Sequence, residues 1–125
     1  MTSKKFTKTH EWVEAEDANY AIGISEHAQS LLGDLVFVEL PEIGSSWNAG
    51  QEMGVLESVK AAADFYAPVS GTVVAVNTEI QANPGLVNES PEERGWLVRL
   101  AISRPTELET LLSDSEYKDL ISQEG

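Results

Sequence analysis

Cysteine is absent from the 125-residue chain. That excludes a disulfide frame, a thiolate nucleophile and a cysteine-based metal site, so any redox chemistry must come from an attached group. Basic residues are scarce: 8 Lys and Arg stand against 21 Asp and Glu, a formal net charge of −13. A chain this acidic repels phosphate backbones and anionic headgroups, so neither a nucleic acid nor a membrane is expected as partner. No apolar run approaches a membrane span, and the charged start from Met1 to His10 is not followed by the apolar stretch of a secretory signal. The expectation is a soluble protein of a reducing compartment, the bacterial cytoplasm or, for a processed eukaryotic form, the mitochondrial matrix. Also lacking are a glycine-rich phosphate loop, a Gly-x-Ser-x-Gly elbow and a zinc-helix motif, since Glu14 stands where His10-Glu11 would need a second histidine. A carrier or binding module fits this inventory better than a self-sufficient enzyme.

What is present begins with enough apolar residues, 42%, to fill the core of one ordinary domain. Short strands alternate with turn signals. Tyr20–Ile24, Asp34–Leu40, Met53–Val59, Ala63–Ala67, Thr72–Asn77 and Trp96–Ile102 read as strands. In the second, Leu35, Phe37 and Glu39 alternate with Val36, Val38 and Leu40. In the last, Trp96, Val98, Leu100 and Ile102 share one face and Arg99 takes the other. Ser25–Gly33 reads as one short helix, with Ser25 as cap, Glu26 at the positive dipole end and Gly33 as left-handed stop. Asn83-Pro84-Gly85 reads as a turn, and Ser90–Glu93 as a single helical turn closed by Gly95. Two capping-box patterns, Thr106–Glu109 and Ser113–Glu116, predict helices in the tail that fold back on the sheets. The aromatic residues, Phe37 among them, read as packing. Gly33–Glu39 faintly echoes Gly71–Asn77, which would suggest two similar halves.

The basic residues are unevenly placed. Between Thr9 and Glu93 there are 15 Asp and Glu but one Lys or Arg, Lys60. Such a lysine is either an ordinary surface ion paired with Glu57 or Asp64, or one kept alone for a purpose.

Local context favours a purpose. Gly54–Asp64 followed by Ala67-Pro68-Val69-Ser70-Gly71 resembles the swinging-arm segment of lipoyl and biotinyl domains. Glu57-Ser58-Val59-Lys60-Ala61 resembles more closely the attachment site of the H proteins of the glycine cleavage system. His10-Glu11-Trp12, Gly23-Ile24-Ser25, Leu32-Gly33-Asp34, Val38–Pro41, Val76-Asn77, Pro84–Asn88 and Gly95-Trp96 extend the resemblance from about Lys5 to Leu120. It implies a mainly β fold, a barrel-sandwich hybrid of two antiparallel sheets with a short internal helix and C-terminal helices. One carrier domain over 1–125 would have its β core at about 5–103 and its helical segment at 105–122. Lys60 would sit at a hairpin tip, although Ser58-Val59-Lys60-Ala61 lacks the Gly, Asn or Pro of a usual tight turn.

By the same resemblance Lys60 carries lipoic acid in amide linkage, and Glu57, Ser58, Val59 and Ala61 form the attachment motif. A pyridoxal-phosphate glycine decarboxylase places an aminomethyl group on the arm. A tetrahydrofolate-dependent aminomethyltransferase takes the one-carbon unit and releases ammonia, and dihydrolipoyl dehydrogenase reoxidises the dithiol. A lipoate-loading enzyme supplies the arm. The chain itself is then a non-catalytic carrier, expected as a monomer. Small neighbours (Ser58, Ala61, Ala62, Ala63) leave room for an approaching enzyme. An aminomethyl thioether collapses when its nitrogen lone pair expels sulfur, so a carboxylate that keeps the amine protonated prolongs its life. Glu11 and Asp64 are the candidates. Other readings are a lipoate-relay or regulatory homologue, a biotin carrier and a 2-oxoacid dehydrogenase lipoyl domain. Val59 and Ala61 stand where biotinyl domains usually place methionine, and the last class is shorter.

Overall fold

A computed structural model describes residues 4–16 and 18–124; Met1–Ser3 of the charged start lie outside them. Nine strands form two sheets among the described residues. β1 (Lys5–Phe6), β2 (Glu11–Glu16), β3 (Asn19–Ile24), β5 (Ser46–Trp47), β8 (Gly71–Val76) and β9 (Val98–Ile102) make a six-stranded sheet in the order β1-β2-β3-β9-β8-β5. β4 (Leu35–Glu39), β6 (Glu52–Ser58) and β7 (Ala62–Tyr66) make a three-stranded sheet in the order β4-β6-β7. Every pairing is antiparallel, and the fold is a lipoyl-like barrel-sandwich.

Alternation along the strands builds two apolar layers. Val13, Ile22, Val73, Val98 and Leu100 of the large sheet meet Val38, Met53, Leu56 and Phe65 of the small one in the main core. Their strand neighbours Trp12 and Ala21 join Phe6 and Tyr117 in a second cluster. That cluster buries one face of the C-terminal helix α4 (Asp114–Glu124). The Ser113 capping box holds as read: the Glu116 N–H donates to Ser113 Oγ at 3.2 Å, and the Ser113 N–H to Glu116 Oε1 at 2.9 Å. Hydrogen bonding of the Ser113 N–H and side chain to the Glu116 carboxyl holds it below its ordinary pKa.

Helix α1 (Glu26–Leu32) forms as expected, with Ser25 Oγ accepting from the Ala28 N–H and Gly33 at φ 84° closing it. Other local readings are corrected. Helices α2 (Thr78–Ala82) and α3 (Gly85–Glu89), not expected from sequence, flank the turn at Asn83-Pro84; both are too short to show a helical period. Ser90–Gly95 is a hydrogen-bonded turn instead of a helix. The Thr106 box does not form. Pro105–Thr110 is a 3-10 helix without a side-chain cap, and its Glu107 carboxylate accepts from the backbone N–H and hydroxyl of Ser70.

Alternation also breaks at two places. A bulge between Leu35 and Phe37 slips the register against β6, so Val36 and Phe37 are both exposed, and Phe37 is not core. Trp96 lies on the Arg99 side, with the guanidinium 4.0 Å from its ring. Leu97 takes the core position. The two echoing segments fall in different sheets, β4 in the small one and β8 in the large one.

Candidate functional site

β6 and β7 pair down to Glu57↔Ala62 and leave Val59 and Lys60 at the tip. Both are exposed. Neither has a positive φ, so this is not the glycine-type turn of most tight hairpins. A side chain replaces it. The buried Ser58 Oγ accepts from the N–H groups of Lys60 and Ala61, each at 3.1 Å, and donates to the Ala61 carbonyl at 3.1 Å. Ser58 N–H closes the turn on the same carbonyl at 2.8 Å. A serine hydroxyl imitating a backbone turn is the missing turn signal. Ser58 therefore builds the tip, while Ala61 and Ala62 provide the open space around it.

The tip is also tied sideways. Val59 N–H donates to the Asp34 carbonyl at 3.0 Å. The residues around Asp34 are held in turn by Asn88, which donates to the Gly33 carbonyl at 2.8 Å and accepts from the Leu35 N–H at 2.9 Å. Asn88 stood in the Pro84–Asn88 stretch of the family resemblance, but sequence reading gave it no role at the site. Lys60 pairs with neither Glu57 nor Asp64; it has no ion pair among the described residues. Its stem instead runs over Gly33, where a Cβ would lie 2.9 Å from Lys60 Cε.

A cleft of about 160 Å³ opens between α1, β7 and the start of β2. Its wall is mostly apolar, with Ile24, Ala28, Leu31, Leu32, Leu56, Ala63 and Phe65; Thr9, His10, Glu11 and Asp64 supply the polar groups. The structure thus brings both candidate acids to one cleft, in different settings. Glu11 is 2% exposed. It accepts from the hydroxyls of Thr7, at 2.6 Å, and Thr9, and from the Tyr66 N–H at 3.2 Å. Burial nonetheless pushes its pKa above the ordinary carboxylate value, against those hydrogen bonds. Asp64 is exposed on the lip.

His10, at φ 76°, turns the chain into β2. Its Nδ1 lies 2.7 Å from the Tyr117 hydroxyl, which also bonds to the buried Ser25 hydroxyl, fastening α4 to the cleft wall. The His27 ring lies 4.9 Å from that of His10. No group of three metal-binding side chains occurs among the described residues.

An exposed lysine at the tip of a hairpin braced by Ser58, on a barrel-sandwich of two antiparallel sheets, fits a carrier of the lipoyl type. Comparison with known proteins gives the particular family. The profile of the glycine cleavage H-protein family matches residues 4–124. The glycine cleavage system H protein of Legionella pneumophila strain Corby is 56% identical over 125 residues, all of both chains. That of Thermotoga maritima is 49% identical over 124 residues, covering 99% of this chain and 100% of the relative. The crystal structure of a glycine cleavage system H protein from Mycobacterium marinum superposes with a TM-score of 0.89 at 35% identity, covering 96% of this chain and 97% of the other. The chain belongs to the glycine cleavage H-protein family, the lipoyl carriers of that system.

Proposed function

We propose that lipoic acid is attached in amide linkage to Lys60 Nζ, and that the chain, folded as one domain, carries it between the enzymes of glycine cleavage without catalysing a step itself. The observation that carries this is the exposed Lys60, without an ion pair among the described residues, on a turn locked by Ser58. Attachment forms one bond, from Nζ to the carboxyl carbon of an activated lipoyl donor; the bond to the donor's leaving group breaks, and Nζ gives up two of its three protons to solvent or the loading enzyme, keeping one as the amide N–H. When bound, lipoic acid supplies a disulfide whose sulfurs take up and give back the aminomethyl unit.

The residues present fit such a group. The apolar wall of Ile24, Ala28, Leu31, Leu32 and Phe65 suits a hydrocarbon chain, and Glu11 with Asp64 suits a cationic amine at its end. A buried carboxylate with a raised pKa gains most from a nearby cation, which restores its charged form. Both acids would then hold the proton on that amine. The partners in this reading are glycine decarboxylase, the aminomethyltransferase, dihydrolipoyl dehydrogenase and a lipoate-loading enzyme. The bacterial relatives favour the bacterial cytoplasm, and no helix among the described residues is long and apolar enough to cross a membrane.

Intact mass and peptide mapping after loading with lipoate test the attachment. One lipoyl group at Lys60, and none in Lys60→Arg, is expected; a lipoyl group elsewhere, or none, overturns it. Reconstitution of the loaded chain with glycine decarboxylase then separates glycine cleavage from lipoate relay.

A further inference from the structure

The outward face of the small sheet is not accounted for by the cleft. Cross-strand partners share a face, as do residues two apart. The register Phe37↔Glu57↔Ala62 and Glu39↔Val55↔Asp64 therefore places these residues together, opposite the core-facing Val38 and Leu56. Phe37 is 50% exposed there, and the bulge turns Val36 out beside it at 56%. Glu39 and Glu57, which do not line the cleft, have no ion-pair partner among the described residues. An exposed aromatic at a bulge, flanked by Glu57 across the pair and Glu39 along the strand and one strand away from the Lys60 tip, has the form of a docking anchor beside a charged rim.

We infer that Phe37 and Val36 dock the lipoate-loading enzyme, in an apolar recess rimmed by basic side chains. The inference rests on the reading of Lys60 as the attachment site. Its physical ground is reach. Before loading, the reacting atom is the lysine Nζ itself, a few ångströms from the hairpin backbone. The loading enzyme must therefore close on the tip and cover the neighbouring strand β4, which Val59 N–H ties to the tip through Asp34. An enzyme that acts on the far end of a loaded arm is not forced so near. The unpaired carboxylates match a basic rim and steer approach, while the apolar pair supplies the short-range contact.

The test is the kinetics of loading of the unmodified full chain by a lipoate–protein ligase with lipoate and ATP. Phe37→Ser should raise the KM for the carrier about tenfold with kcat little changed. Phe37→Leu should keep most of the affinity, and Val36→Ser should add to the loss. Glu39→Gln should weaken loading at low salt and much less at high salt. Thermal unfolding of each variant should match the parent, because both apolar side chains are exposed. An unchanged KM for Phe37→Ser overturns the inference. So does an effect seen with glycine decarboxylase and the loaded chain but not with the ligase, or a concentration-dependent dimer that Phe37→Ser abolishes. Failure of Lys60 itself to be modified in the parent chain would instead remove the attachment reading.

Discussion

Lys60 lies across Gly33: its Cε occupies a point 2.9 Å from where a Cβ on that glycine would stand. The same glycine ends α1 at φ 84°, ψ −164°, a conformation nearly confined to glycine. One residue thus stops a helix and makes the bed for the lysine stem.

Gly33→Ala should therefore cost about 1–3 kcal/mol in stability and displace the Lys60 stem. Urea unfolding measures the first effect, and loading kinetics with lipoate the second. A variant as stable as the parent and loaded at the same rate would show that the contact has no consequence.

Ser58→Ala removes an acceptor for two tip N–H groups and a donor to the Ala61 carbonyl. A loss of about 1–2 kcal/mol is expected, with faster hydrogen exchange at the Lys60 and Ala61 amides. Slower loading should accompany it, because an unpinned tip loses more entropy when an enzyme docks. Unaltered exchange at both amides would contradict the role given to Ser58.

Glu11 makes stability depend on pH. Its folded pKa lies above the ordinary 4.5 through burial, so the folded state binds this proton more tightly than the unfolded chain. Its contribution is complete below 4.5 and is lost as pH rises through the folded value. Mutual repulsion of the many acids acts in the same direction, so the comparison must be with Glu11→Gln. That variant should lose stability less steeply as pH rises from below 4.5 to neutrality, measured by urea unfolding. Identical slopes would mean that the carboxyl is not buried as described.

Both acids should lengthen the life of the aminomethyl-bearing carrier. Glu11→Gln and Asp64→Asn should each hasten its loss of formaldehyde and ammonia, Glu11→Gln the more because it sits in the wall and Asp64 on the lip. Lifetimes unchanged in both variants would eliminate this use of the cleft.

Much of the fold was legible locally. Ser25 and Gly33 marked the bounds of α1, and β-branched runs marked β8 and β9, because capping and strand preference act over a few residues. The bulge at Val36, the short helices α2 and α3 and the bonds from Ser70 to Glu107 were not legible. Each depends on a partner far along the chain. The same holds at the site. Lys60 stood out by sequence as the lone cation between Thr9 and Glu93. Asn88, which reaches Gly33 and Leu35 from far along the chain, did not.

By itself the sequence determined an acidic, cysteine-free β protein with one isolated lysine in a family-specific motif, since composition, charge and short-range pattern need no third dimension. Tertiary structure alone decided that Ser58 supplies the turn its neighbours lack and that Gly33 receives the lysine stem. It also decided that Glu11 enters the cleft wall beside Asp64 and that Phe37 faces outward. Those outcomes depend on register, burial and contact between distant segments, which are set only when the sheets close on one core.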